Sequence, residues 1–268
     1  MMTIDKKTFE SVALSATSST AHVFDMIQPH LEVAEQNLKS ELFGSFDYAS
    51  VEGLEAIAVR LVCLRTYYEQ IPHLDLVLTP TGFGVVSNEN VAPASPDRVK
   101  SLRQQVKDAY DDALDEAIWA MLGTDWVKTV SGRIHVNSLY ITAKDLRSYA
   151  GMPNAHRSDL LERLVQIAEA EEYIRRTISA EFFEKLLDMI RSNKINDVHF
   201  LLVYELKVAI GAWLSGSKNV FRMKVANVIN RMENHIDDYP DYKNSEAYKV
   251  KHFEHHQNAK DDTTYFFG

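Results

Sequence analysis

The chain has 268 residues, of which 46% are hydrophobic and 25% charged, a composition typical of a folded globular protein. Its 38 acidic residues outnumber 29 basic ones, and the resulting charge of -9 argues against a surface that grips nucleic acid. No apolar run approaches the roughly 20 residues needed to cross a bilayer, and residues 1–19 lack the apolar core of a signal peptide. We therefore expect a protein made in the cytoplasm and not bound to a membrane.

The first part of the chain predicts helices. Residues 51–71 are apolar around the whole helix and contain the single cysteine, Cys63, which we expect to be a buried structural thiol. Ser95 followed by Pro96 predicts the start of a helix that runs to Gly123. Residues 20–43 predict an amphipathic helix, with apolar residues at steps of three and four: Val23, Met26, Ile27, Leu31, Val33, Ala34, Leu38 and Leu42.

Residues 75–99, DLVLTPTGFGVVSNENVAPASPDRV, interrupt this helical pattern. The short apolar runs on either side of Gly82 and Gly84 predict a β-hairpin over residues 76–87, with its turn at residues 80–82. The glycines are not followed by the Lys and Ser or Thr of a phosphate-binding loop. A lone hairpin is marginally stable in water, so it either folds over its own helices or pairs with another chain.

The second half predicts further helices around a less regular middle. Trp126, Val127 and Val130, set against Ile134 and Val136 across a Ser-Gly pair, suggest a second short hairpin. A short helix is predicted at residues 142–149, starting near Thr142 or Asp145, followed by helical residues 156–192 with a break near Ser179. Helices at residues 197–214 and 217–238 precede a polar, irregular tail from Tyr239 onward.

These elements predict a mainly α fold: a two-lobed helical bundle with one projecting β-hairpin and a second short one. The expected divisions are an N-terminal helical lobe at residues 1–123 carrying the hairpin at 76–87, and a connecting segment at 124–154. A C-terminal helical lobe follows at residues 155–238, and an extended tail at 239–268.

Residues with chemical potential do not form a known catalytic pattern. The histidines of KHFEHHQ, His252, His255 and His256, with Glu254, offer metal donors in principle, but their spacing is not HExxH. His199 is expected to be a satisfied, partly buried histidine. We predict no catalytic residues, cofactor or metal. The remaining charged candidates are expected to form a solvated face (Glu171, Glu172, Glu181, Glu184) and ion pairs with glutamates or other subunits (Arg60, Arg65, Lys100, Arg103).

The interrupted segment also carries a family resemblance. LVLTPTGFGVVSNENVAPASPDRVKSL, residues 76–102, resembles a signature segment of a protein family of Bacteroides phages and prophages that is encoded among virion genes. The ending DDTTYFFG is similar to the short aromatic C-terminus of that family. The resemblance implies a head-to-tail connector, a structural virion protein in the neck of a tailed phage, and brings no catalytic residues with it.

Connector adaptors are helical subunits that form a ring beneath the portal, so the resemblance implies a homo-oligomeric ring, a dodecamer by analogy. Its partners would be the portal protein and tail or neck proteins, with DNA passing through the lumen without sequence-specific binding. A helical metal-binding protein or enzyme using the histidine-rich segment, and a monomeric cytoplasmic helical protein, are the alternatives. The predicted partner contacts are Leu76, Val77, Leu78, Phe83, Val85 and Val86 of the hairpin, and Tyr265, Phe266 and Phe267.

Overall fold

A computed structural model of the chain describes residues 2–13, 22–74, 76–79, 82–85 and 95–253. The described fold is mainly helical, which confirms the predicted class. Its α-helices are α1 (Lys6–Val12), α2 (His22–Leu38), α3 (Leu54–Leu74), α4 (Pro96–Met121), α5 (Val130–His135), α6 (Ala143–Tyr149), α7 (Arg157–Glu162), α8 (Leu164–Thr177), α9 (Ala180–Arg191), α10 (Asp197–Leu214), α11 (Lys218–Asn234), α12 (Pro240–Lys243) and α13 (Glu246–Lys251).

The first helices pack around α3, which lies against both α2 and α4. Leu61, Val62 and Cys63 are consecutive and all buried, as the apolar circumference of this helix predicts. On α2 the buried face is narrower than predicted, because Met26 and Val33 are about half exposed. That face includes Phe24, Ile27, Leu31, Ala34 and Leu38, at the spacing of one helical stripe.

The end of α2 is tied to the middle of the chain. The helix continues as a π-helix, Lys39–Phe43, whose last carbonyl groups lack helical partners. The Leu42 carbonyl accepts hydrogen bonds from Trp126 Nε1 (2.7 Å) and Ser131 Oγ (2.7 Å), and Ser131 Oγ also donates to the Glu41 carbonyl (2.8 Å). These contacts fix α5 against the end of α2.

Two short strands follow α3. β1 (Leu76–Thr79) and β2 (Gly82–Val85) pair antiparallel, with Leu76 opposite Val85 and Thr79 opposite Gly82. The side chains of both strands, and residues 80, 81 and 86–94, lie outside the described residues. That this pair projects from the helical body stays a prediction.

The predicted second hairpin is wrong. Its residues form a 3-10 helix, Asp125–Lys128, and then α5. Two threonines start these turns: Thr124 Oγ1 accepts from the Trp126 amide (3.2 Å), and Thr129 Oγ1 accepts from the Gly132 amide (3.0 Å). Alternating apolar residues suggested strands, but the capping threonines and the completely buried Trp126 determine the local structure.

The remaining helices confirm most predicted boundaries. The helix α10 spans residues 197–214, as expected, and the break at Ser179 is the N-cap of α9, where Ser179 Oγ accepts from the Phe182 amide (3.2 Å). A second break, at Arg163, separates α7 from α8. At the start of α6, the Asp145 carboxylate accepts from the amides of Ile141 (2.8 Å) and Thr142 (3.2 Å) and pairs with Lys207 Nζ of α10 (2.6 Å).

The segment after Tyr239 is more regular than predicted. It forms α12 and α13, because Tyr242 is buried against Phe182 (ring centroids 5.7 Å apart) and Ser245 Oγ accepts from the Tyr248 amide (3.3 Å). Residues 254–268 lie outside the described residues.

Buried apolar residues form two clusters. One gathers residues from Ile4 to Trp126 with Val136 and Ile141, and the other gathers residues from Leu139 to Tyr242. The proposed domain boundaries at residues 123 and 154 stay a prediction. Within the described part of the chain, no helix combines the length and apolarity that crossing a membrane requires.

Candidate interaction surfaces

The predicted partner-contacting residues are only partly placed. The backbone of Leu76, Val77 and Leu78 lies in β1, and that of Phe83 and Val85 in β2. Val86, Tyr265, Phe266 and Phe267 lie outside the described residues. The predicted contacts of these side chains therefore stay predictions, and the surfaces below come from the described helices.

A row of acidic residues on α4 faces the second half of the molecule. Asp108, Asp111, Asp112 and Asp115 recur at the spacing of one helix face. Asp115 Oδ2 accepts from the Ala143 amide (2.6 Å), and Asp111 Oδ2 accepts from the Ser158 amide (3.2 Å).

Ala143 and Ser158 stand in the first turns of α6 and α7, where amide groups have no acceptor within their own helix. Carboxylates of α4 thus cap two helices that are distant in sequence. Burial raises the pKa of the Asp111 carboxyl, an effect that the Ser158 hydrogen bond opposes. We call this contact, with residues 108–115 on one side and the starts of α6 and α7 on the other, the acidic junction.

A buried ion pair lies at the centre of the acidic junction. Arg157 Nη1 contacts Asp115 Oδ1 at 2.6 Å, and both side chains are less than a tenth exposed. Arg157 Nη2 lies 2.9 Å from His135 Nδ1. Because a guanidinium only donates, His135 Nδ1 must accept and is unprotonated. Burial, helped by the charge of Arg157, lowers the pKa of His135 to about 4.

An open groove lies beside this junction. Ile134 of α5, Leu161 of α7, and Leu164 and Val165 of α8 line a cavity of about 680 Å³. These four side chains are 65%, 53%, 41% and 73% exposed. Exposed apolar residues scattered singly are ordinary, but a concave group of this kind is typical of an interaction site. We call it the α5–α8 groove.

A buried carboxylate, Glu171, also lines this groove. Its Oε1 accepts from Ser138 Oγ (2.8 Å) and from the Leu139 amide (2.7 Å), and burial raises its pKa. The predicted solvated face is therefore wrong for Glu171, which is 3% exposed. Hydrogen bonds replace water at this carboxylate, so it holds the segment before α6 against α8.

The other three glutamates of that group are more exposed. Glu172 pairs with Arg176 (2.6 Å), and Glu181 accepts from Ser179 Oγ (2.9 Å). Glu184 lies 3.5 Å from Arg175 and 3.6 Å from Arg191. These contacts agree with the predicted polar face.

Arginines border the α5–α8 groove. Arg175 and Arg191 line it and share Glu184, while Arg191 also contacts Asp188 at 3.0 Å. Arg133 lines an adjoining cavity of about 550 Å³ together with Arg191 and Glu184. Arg133 is exposed and has no ion pair or hydrogen bond through its side chain within the described residues. The rim therefore carries an available positive charge.

A second apolar surface lies on α10. Phe200, Leu201 and Tyr204 are 59%, 47% and 45% exposed and are neighbours on this helix at steps of three and four. Tyr204 packs edge-on against Tyr149 of α6 (ring centroids 5.7 Å apart), which holds its ring in place. We call these three residues the α10 face.

The predicted basic residues behave largely as expected. Arg60 pairs with Glu116, and Arg65 pairs with Glu41 (2.7 Å) and Glu69 (3.1 Å). Arg103 lies over the ring of Tyr68, at 4.5 Å. The prediction of ion pairs with nearby glutamates is therefore confirmed for Arg60 and Arg65.

The remaining candidates do not form a site. Cys63 is buried as predicted, and burial raises its pKa to about 12. His199 is buried and satisfied on one side only: Nδ1 lies 2.7 Å from Asn196 Oδ1, while Nε2 has no hydrogen-bond partner in the described part of the chain. His252 lies 3.5 Å from Glu233. No group of three or more potential metal ligands occurs among the described residues, and Glu254, His255 and His256 are outside them.

The acidic junction was missed by the sequence reasoning, although a signal for it exists. DAYDDALD repeats aspartate at the period of a helix face, which is unusual for a face exposed only to water because the like charges repel one another. The groove has a weaker signal: Leu161, Leu164 and Val165 flank the break at Arg163 and so do not share one helix stripe.

In the comparison with protein families, a family of unknown function, DUF6712, matches residues 27–122 and 215–252. The chain belongs to this family. The DUF6712 match covers most of α2, all of α3 and α4, and then the segment containing α11 to α13. It therefore includes the acidic row but neither the groove residues of α5, α7 and α8 nor the α10 face. Neither the curated proteins nor the solved structures contain a match to the chain.

Proposed function

We propose that this protein is a structural subunit that assembles with copies of itself, as the head-to-tail connector ring between the portal and the tail of a phage. The observation that carries the proposal is the presence of two different exposed apolar surfaces, the α5–α8 groove and the α10 face. A ring needs each subunit to contact its neighbours through two unlike surfaces, because a head-to-tail contact closes only after several copies.

The rigidity of the acidic junction supports the proposal of a structural subunit. Its buried Asp115–Arg157 pair and its two capped helices fix α6 and α7 against α4 by directional contacts. Hydrogen bonds to buried charges tolerate little displacement, because a separated partner is left unpaired away from water. Such a joint keeps interaction surfaces at a constant geometry.

The resemblance of residues 76–102 and 261–268 to a phage connector family supports the particular assembly, with the virion neck as its location. Under this proposal the ring is a dodecamer that contacts the portal protein and tail or neck proteins. The net charge of -9 suits a conduit through which DNA slides without sequence-specific binding.

The test is the assembly state of the full chain, measured by sedimentation velocity and negative-stain microscopy. We expect closed rings, which the variant Leu201→Asp weakens because it places a charge in a buried contact. The control Val33→Asp changes an equally exposed residue on α2 and should leave rings intact. A chain that stays monomeric at every concentration, or that retains a stoichiometric metal after dialysis, would contradict the proposal.

A further inference from the structure

The α5–α8 groove has a candidate occupant within the same sequence. Residues 261–267, Asp-Asp-Thr-Thr-Tyr-Phe-Phe, combine two acidic residues with three aromatic ones. We propose that the α5–α8 groove of one copy binds this segment of a second copy. The inference rests on the proposed self-assembly and names the site at which it occurs.

The groove matches the aromatic part of this segment. Its volume of about 680 Å³ lies within the about 300–1,000 Å³ of typical binding pockets. Ile134, Leu161, Leu164 and Val165 present apolar side chains at its surface without burying them. Aromatic side chains bring large apolar area and little rotamer entropy, so they gain most from such a groove.

The arginines at the rim of the α5–α8 groove complement the charge of the acidic residues in the segment. Glu184 and Asp188 are already engaged by Arg175 and Arg191, which leaves Arg133 without an ionic partner among the described residues. Asp262 precedes Tyr265 by three residues, a separation of at most about 11 Å when extended. An aromatic residue in the groove therefore lets Asp261 or Asp262 reach a rim arginine.

The helix α12, near the end of the described chain, packs on another side of α9. Lys251 pairs with Glu233 of α11 (2.6 Å), and Tyr242 packs against Phe182 of α9. Phe182 and Glu184, which lines the groove, are about 200° apart around that helix. Because the 12 residues from Phe253 to Tyr265 span up to about 40 Å when extended, the segment of the same copy is the alternative occupant, and the mixing experiment below distinguishes the two.

Mixing two defective variants tests the contact. The double variant Leu161→Asp with Val165→Asp places charges in the groove, and Phe266→Ser with Phe267→Ser removes two of the three aromatic side chains of the segment. Each alone should associate at least about tenfold more weakly than the unmodified chain. Mixed together, they should recover a hetero-pair, because one supplies an intact groove and the other an intact segment. Native mass spectrometry with one variant labelled by ¹⁵N identifies that pair.

The rim is tested by reversing charges. Arg133→Glu should weaken association, and adding Asp261→Lys with Asp262→Lys in the same chain should restore it. Val33→Asp serves again as the matched control. Binding of the segment within its own copy would give no hetero-pair on mixing, and this outcome would overturn the inference.

The outcomes separate the two proposals. Rings formed by both defective variants as well as by the unmodified chain would overturn the groove assignment and the use of the groove as a ring surface, while assembly into rings would still stand. A chain that never self-associates would overturn both.

Discussion

The acidic junction and the α5–α8 groove both involve α7, yet they are opposite in character. The junction is closed and charged: Asp115 and Arg157 are buried, and backbone amides complete their surroundings. The groove is open and apolar, and Val165 at its edge is 73% exposed. In the junction, separating the buried polar groups from their partners would cost free energy. In the groove, a partner that covers the exposed apolar groups would gain free energy.

This difference separates folding from assembly. Changes in the junction should reduce the free energy of unfolding, whereas changes in the groove should leave it nearly constant. The following predictions order the expected effects on that free energy from large to small.

The largest effect is expected for Asp115→Ala. It leaves the Arg157 guanidinium buried without a carboxylate, and removing one partner of a buried pair costs about 3–5 kcal/mol. Asp112→Ala is the control, because Asp112 pairs with Arg147 at 3.1 Å where the side chains are 47% and 36% exposed, and solvent-exposed pairs contribute about 0–1 kcal/mol. Urea unfolding followed by circular dichroism measures both. Equal losses would refute the special role of the buried pair.

The next largest loss of the free energy of unfolding is expected for Gly132→Ala. A Cβ at this position of α5 would collide with the backbone carbonyl of Trp126, which cannot move aside without shifting the buried indole. We expect a loss of about 1–3 kcal/mol, the usual cost of overpacking. Val130→Ala in the same helix removes a 77% exposed side chain and should change thermal stability little. If both variants have the same melting temperature, α5 is less tightly held than its contacts imply.

A pH dependence should arise from His135. Its pKa is lowered to about 4 in the folded chain, from 6.5, so between these values the unfolded chain binds a proton that the folded chain does not. Stability should therefore fall as pH drops from 6.5 towards 4, by up to about 1.4 kcal/mol per pH unit from this group. His135→Gln should flatten the curve of unfolding free energy against pH. Parallel curves for variant and unmodified chain would show that His135 does not contribute.

The smallest effect is expected in the groove. Leu161→Ser alters a side chain that is 53% exposed and should change the free energy of unfolding by less than about 0.5 kcal/mol. Leu160, the preceding residue, is buried, so Leu160→Ser should lower the free energy of unfolding several-fold more. Chemical unfolding of the two variants side by side gives the comparison. A large loss for Leu161→Ser would mean that the groove belongs to the folding core.

Local signals in the sequence were sufficient for much of the fold. The apolar period of α10, the Ser95-Pro96 start of α4 and the cap at Ser179 each depend on neighbouring residues, and each predicted the structure. The middle segment was mispredicted because Trp126 and Ser131 bond to Leu42 of the π-helix Lys39–Phe43 and not to a partner strand, while Val130 and Ile134 of the apolar alternation are exposed.

The candidate surfaces were less predictable for the same reason. Asp115 meets Arg157 across 42 positions of sequence, and Glu171 meets Leu139 across 32. Periodicity shows which side of a helix is polar but not which distant amide or guanidinium it will contact. Glu171 was consequently expected in solvent, although two hydrogen bonds compensate its burial.

The buried thiol of Cys63 can be used to measure how often the folded structure around it opens. Its thiol has no exposed surface and a pKa of about 12, so a thiol-specific reagent reaches it only when the N-terminal cluster of apolar residues separates. The rate of labelling at this single position therefore measures how often the structure around Cys63 opens. A second cysteine introduced on the surface can be labelled with a probe while the buried native thiol does not react.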